Sequence, residues 1–109
     1  MALAILTWDL PPQEQMEAYN QKARTEWIPT VLRQPGVKEF RGLRNAFHAS
    51  PHVMAITEYD SLASALKFIQ TEEYAHLMES MRAAGCTHIT VQLWDVSPVI
   101  PEPIRPTGS

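Results

Sequence analysis

Apolar positions along the chain change period repeatedly, and each change marks an element. Ala2 to Asp9 is a short apolar run stopped by Asp9-Leu10-Pro11-Pro12, which predicts a buried strand. From Gln13 to Leu32 the spacing becomes helical. Met16, Tyr19, Ala23, Trp27 and Val31 recur at three- and four-residue steps, with Glu14, Glu17, Gln21, Arg24 and Thr25 on the other side. Pro29 lies within this helix, lacks an N–H and crowds the carbonyl of Thr25, so a kink or restart is expected. Gln34-Pro35-Gly36 then turns the chain.

Val37 to His48 and His52 to Tyr59 read as two strands around a hairpin connection, Ala49-Ser50-Pro51. Gly42 within the first predicts a bulge or a close backbone approach. Val53-Met54-Ala55-Ile56 is apolar on both faces, as in a strand covered on both sides. Asp60 or Ser61 can cap a second helical region. Its stripes, Leu62-Ala65-Leu66-Ile69 and Tyr74-Leu77-Met78-Met81, are about 80° out of phase at the helical angle of about 100° per residue. A break at Gln70-Thr71 repairs the phase, with Thr71 capping the second piece and Gly85 closing it. His88 to Val96 alternates as a strand, Ile89, Val91 and Leu93 against His88, Thr90 and Gln92.

The order strand, helix, strand, strand, broken helix, strand predicts an α+β fold. It is the ferredoxin-like β-α-β-β-α-β sandwich, two helices on one face of a four-stranded antiparallel sheet. Helices cover one face, so the doubly apolar third strand predicts a partner on the other: a homodimer through the open sheet face. Residues 1–97 form this single domain. Pro98, Pro101, Pro103 and Pro106 make 98–109 an extended, polyproline-like tail, loose or draped over a neighbouring subunit.

Composition narrows the functional classes. A net charge of -3, with nine Lys and Arg scattered along 109 residues, argues against nucleic-acid binding. No apolar run approaches the roughly 20 residues of a membrane span, and Met1 to Leu6 lacks the basic region of a signal peptide. The one cysteine, Cys86, cannot form an internal disulfide, which fits a cytoplasmic setting.

Four segments carry a resemblance: Leu10-Pro11-Pro12, Gln34-Pro35-Gly36-Val37, Glu58-Tyr59-Asp60-Ser61-Leu62 and Gln70-Thr71-Glu72-Glu73-Tyr74. With them, residues 2 to 97 resemble the dimeric α+β barrel superfamily, the antibiotic-biosynthesis-monooxygenase-like proteins. The resemblance implies dimers that face their open sheets and hold small ligands between sheet and helices. Its heme-degrading branch uses an Asn on strand one, a Trp ending strand three and a His late in the second helix. Here those positions fall on Leu6, Tyr59 and Met78, and the nearby His76 faces away from the buried stripe. Two of the three groups are missing, which argues against heme degradation.

The resemblance then implies a cofactor-independent monooxygenase acting on a hydrophobic, aromatic small molecule, with no cofactor and no metal. Trp8, Tyr19, Trp27, Tyr59 and Met78 would shape the pocket, with Trp94 a further aromatic. Arg44, Asn45 or His52 would contact an oxyanion. A non-catalytic ligand-binding or structural domain is the alternative, since Trp and Tyr commonly serve as core and interface. A core in which Trp27, Tyr59, Phe68 and Met78 interdigitate without a void would leave the structural reading alone.

Other candidates read as bland. His48 and His52 flank the hairpin connection and could share a metal, but no Cys, Asp or Glu lies near the turn, so solvated histidines are expected. His88 is expected as a hydrogen-bonded residue at the dimer seam, and Cys86, with no adjacent base, as inert. Asp9, Glu58, Asp60 and Asp95 sit near strand ends as caps or solvated rims.

Overall fold

The computed structural model describes residues 1–107, so Gly108 and Ser109 at the end of the expected tail lie outside the described residues. Strand β1 (Ala2–Asp9) leads into a first helix built of four pieces. These are a 3-10 turn (Gln13–Gln15), α1 (Met16–Lys22), a π-helical turn (Ala23–Trp27) and α2 (Ile28–Leu32). Then follow β2 (Val37–Arg44), β3 (Val53–Tyr59), α3 (Leu62–Ile69), α4 (Glu72–Ala83) and β4 (Thr87–Asp95). The strands form one antiparallel sheet in the order β2-β3-β1-β4, which is the ferredoxin-like arrangement.

The break that Pro29 demanded takes the form of a wide turn. Ile28 N–H reaches back to the carbonyl of Ala23, and α2 restarts with Pro29 near its first turn, where a missing N–H costs nothing. Thr25 Oγ1 and Thr30 Oγ1 donate to the carbonyls of Gln21 and Glu26, at 2.8 and 2.7 Å. The second helical region divides at Gln70-Thr71. Ser61 caps α3 by accepting from Ser64 N–H, and Thr71 caps α4 by accepting from Tyr74 N–H at 3.1 Å. Each such cap is worth about 1 kcal/mol.

Strand pairing fixes the two faces of the sheet. Leu6 pairs with Ala55 and with Val91, and Trp8 pairs with Val53, so these side chains share the helix-covered face. Tyr19 and Trp27 from the first helix, and Phe68, Leu77, Met78 and Met81 from α3 and α4, pack down onto it. The opposite face has no helix. It presents Leu3 and Ile5 of β1, Met54 and Ile56 of β3, Leu43 of β2 and Trp94 of β4, the last 54% exposed.

Several expectations are corrected. β2 ends at Arg44 rather than His48, and residues 45–52 are a loop. Asn45 Oδ1 accepts from Phe47 N–H, its amide donates to Pro51 O, and His48 adopts φ 57, so local polar bonds take the chain out of the ladder. His48 and His52 therefore do not face each other across a tight hairpin. Gly42 marks neither a bulge nor a close approach: it pairs regularly with Ala55, and the register shift falls between Val37 and Glu39.

From Val96 onward the described chain has no helix or strand, and it leaves Val99, Ile100 and Ile104 exposed. The radius of gyration, 15.4 Å, exceeds the roughly 13 Å of a compact chain of this length, as an extended tail requires. Among the described residues no helix is long and apolar enough to cross a membrane.

Candidate functional site

Between the sheet and the first helix lies a cavity of about 170 Å³. Leu6, Trp8, Val53 and Ala55 form its floor, and Phe40 and Gly42 of β2 one side. Tyr19, Ala23, Trp27, Ile28 and Val31 line it from the first helix, and Leu77 and Met81 from α4. Gly42 is solvent-exposed, and a Cβ placed on it would meet nothing within 4 Å. Any larger residue there would grow into empty space.

The walls are apolar because their polar atoms are already bonded. Trp8 Nε1–H donates to Tyr19 Oη at 3.0 Å, and Trp27 Nε1–H donates to Ser80 Oγ at 2.9 Å. Tyr19 and Trp27 meet edge to face, centroids 5.5 Å apart at 66°. Burial pushes the Tyr19 phenol above its ordinary pKa, and the Trp8 hydrogen bond and the Arg44 charge offset that in part. Tyr19 thus stays protonated at neutral pH. Its oxygen already accepts from Trp8, which leaves its O–H as a donor.

Of the residues expected at a pocket, Trp8, Tyr19 and Trp27 come together around this cavity. Arg44 is exposed beside Val53, close enough to act on Tyr19 but outside the lining. Tyr59, 2% exposed, and Met78 are buried outside the lining as well. On α4 the cavity side is taken by Leu77 and Met81, and Met78 is turned about 100° from Leu77. Trp94 lies on the open sheet face, its indole N–H bonded to Gln92 Oε1 at 3.1 Å. Phe40, Gly42 and Val53 were not anticipated. Their signal, the strand alternation that turns 40 and 42 inward with Val53 and Ala55, was present in the sequence but gives no depth. His76 is exposed and lines a separate polar groove between the first helix and α4.

A second polar constellation gathers at the end of β1. Ser50 Oγ–H donates to the Asp9 carboxylate, 2.6 Å from Oδ1 and 2.9 Å from Oδ2. His88 Nδ1 lies 2.9 Å from Asp9 Oδ2, and His52 Nδ1 lies 3.7 Å from Oδ1. His52 Nδ1 accepts from Leu10 N–H at 3.0 Å, so neutral His52 carries its proton on Nε2. His88 is exposed in the single chain rather than partly buried, and its backbone departs from a regular strand. The β1–β4 register shifts between Thr7 and Asp9, and His88 takes φ 53 to reach the carboxylate. Burial pushes the Cys86 thiol up to about 11, which keeps it protonated. Among the described residues no group of three or more His, Cys, Asp and Glu is placed to hold a metal ion.

No protein-family model matches the chain, and no curated protein does. Solved structures match closely in shape. A Deinococcus radiodurans protein classed provisionally with the antibiotic biosynthesis monooxygenases superposes with a TM-score of 0.76 at 11% identity, covering 99% of this chain and 100% of that one. HapK from Hahella chejuensis gives 0.71 at 16% identity, over 90% of this chain and 94% of its own. A structure described as antibiotic biosynthesis monooxygenase, 20% identical, gives 0.67 over 90% of this chain and all (100%) of that one. The chain therefore shares the fold of these antibiotic-biosynthesis-monooxygenase-like structures.

The Ser50 hydrogen bond, opposed by partial burial and aided by His52 and His88, holds the Asp9 carboxyl below its ordinary pKa of 3.8. A depressed carboxyl stabilises the fold above its unfolded pKa and loses that contribution as pH falls through the folded one. Thermal melts between about pH 6 and pH 2 should show it. Asp9→Asn is expected to melt lower than wild type near neutrality and to approach it in acid. Parallel curves for the two proteins would count against this role.

Proposed function

We propose that this chain is a small cofactor-independent monooxygenase-like protein acting on a hydrophobic, aromatic small molecule held in the cavity above Gly42. The apolar cavity with one available phenol donor carries the reading. An apolar cavity of about 150 Å³ is known to stay dry and bind benzene, so about 170 Å³ accepts one aromatic ring, and the opening at Gly42 lets a fused system extend.

The chemistry would draw on the substrate. An anthrone-like methylene has an acidic enol form; its anion is electron-rich enough to reduce dioxygen directly. One oxygen atom becomes the new carbonyl and the other leaves as water with the two methylene hydrogens, so the substrate supplies all the electrons. The protein would orient the ring between Trp8 and Trp27, exclude water, and donate from Tyr19 Oη to the developing oxyanion. Arg44 would add positive charge from outside. The second reading is a binder that does not turn its ligand over. One observation favours it: no charged side chain lines the cavity.

Oxygen uptake with anthrone and equilibrium binding of 2-naphthol test both readings. Gly42→Leu should fold normally, since its Cβ has room, and weaken naphthol binding at least tenfold. Tyr19→Phe should reduce uptake by about 10- to 100-fold while binding persists. Binding that survives in Gly42→Leu would remove the cavity from the account. Binding without uptake would leave the binder.

The homodimer through the open sheet face belongs to the same proposal. The uncovered stripe of Leu3, Ile5, Leu43, Met54, Ile56 and Trp94 supports it, because a monomer leaves Leu43 and Trp94 exposed and the other four partly exposed. Sedimentation at micromolar concentration is expected to report twice the 12.3 kDa chain mass. A single-chain mass would contradict it.

A further inference from the structure

We infer that His88 and Asp9 form a second reactive site, separate from the cavity: a carboxylate-oriented imidazole that acts as a general base on small molecules with a weakly acidic C–H or O–H. Orientation is the first argument. The Asp9 carboxylate is acceptor-only and stands 2.9 Å from His88 Nδ1, an ion-pair contact, so Nδ1 is the nitrogen turned to the carboxylate and Nε2 the one turned away from it as the candidate basic position. The carboxylate is fixed in turn, since Ser50 Oγ–H donates to it and its side chain is only 13% exposed. Base, orienting carboxylate and supporting hydroxyl thus form an ordered chain.

Exposure is the second argument. The His88 side chain is 79% exposed, so Nε2 faces solvent and can be reached. Backbone conformation is the third. Positive φ is uncommon within a strand, and His88 adopts φ 53 where the β1–β4 register shifts beside Asp9. His52, on the other side of the carboxylate, has its Nδ1 occupied by Leu10 N–H and lies at 3.7 Å, so it is the weaker partner.

The geometry would serve structure alone if its only role were to tie the β2–β3 loop and the start of β4 to the end of β1. The two roles separate in His88→Asn. An asparagine amide can replace Nδ1–H toward Asp9, and Asn is among the residues that tolerate positive φ, but it has no Nε2. The probe is 5-nitrobenzisoxazole. Nε2 takes the proton from C3, its electron pair completes the C≡N bond, the N–O bond breaks, and the coloured 2-cyano-4-nitrophenolate leaves; the proton passes to solvent.

His88→Asn should keep the wild-type melting temperature and lose about tenfold or more of kcat/KM. His76→Asn, which removes an exposed histidine with no carboxylate partner among the described residues, should leave the rate unchanged. In Asp9→Asn the imidazole persists without its orienting group, and kcat should fall with KM held. Carbethoxylation of the unmodified protein by diethyl pyrocarbonate, read by mass spectrometry, avoids any question of folding: His88 should react several-fold faster than His76. Elimination unaffected by His88→Asn, an equal loss in His76→Asn, or faster modification of His76 would overturn the inference.

Discussion

Pro29 cannot donate a backbone hydrogen bond, and the first helix is built around that deficit. A continuous α-helix would press the proline ring on the carbonyl of Thr25. The chain instead widens to a π turn over Ala23–Trp27 and restarts as α2. Trp27, at the end of that turn, reaches under α4 to bond Ser80, and Tyr19 meets its edge one helical stretch earlier. Ile28 and Val31 then stand over β2 at the level of Gly42, where the sheet has no side chain to offer. A helix that cannot settle evenly, above a strand position that cannot fill, leaves the cavity.

The two faces of the sheet follow from the same shortage of helices. One layer of two helical regions covers Leu6, Trp8, Ala55 and Tyr59, and among the described residues no helix covers Ile5, Met54 and Ile56, which stay partly exposed. At the end of the sheet a third device appears. Asp9 gathers Ser50, His52 and His88 from the β2–β3 loop and the start of β4, so one carboxylate organises three otherwise separate segments. Apolar cavity and polar cluster are thus adjacent in sequence, at Trp8 and Asp9, but point to different kinds of chemistry.

Much of the fold was legible because its signals are local. The phase slip between Ile69 and Leu77 located the break at Thr71, and Pro29 located the other discontinuity. What escaped has long-range or side-chain causes. Strand β2 stops at Arg44 because Asn45 bonds its own loop and His48 turns left-handed, which an apolar-polar pattern does not record. The Asp9 cluster joins residues 41 and more positions apart, and Asp9 alone reads as a strand end. Of the pocket residues, Trp8, Tyr19 and Trp27 were readable as inward aromatics. Tyr59 and Met78 carried the same signal, but inwardness does not say whether a side chain meets a void or another side chain.

The space above Gly42 is apolar and open to solvent, and walls so poor in polar atoms should keep it dry. Crystals equilibrated under xenon test this directly, because xenon occupies apolar voids without any specific recognition. One well-occupied xenon atom is expected between Trp8, Tyr19, Trp27 and Met81. Electron density showing ordered water there, or side chains closed over the space with no xenon, would contradict it.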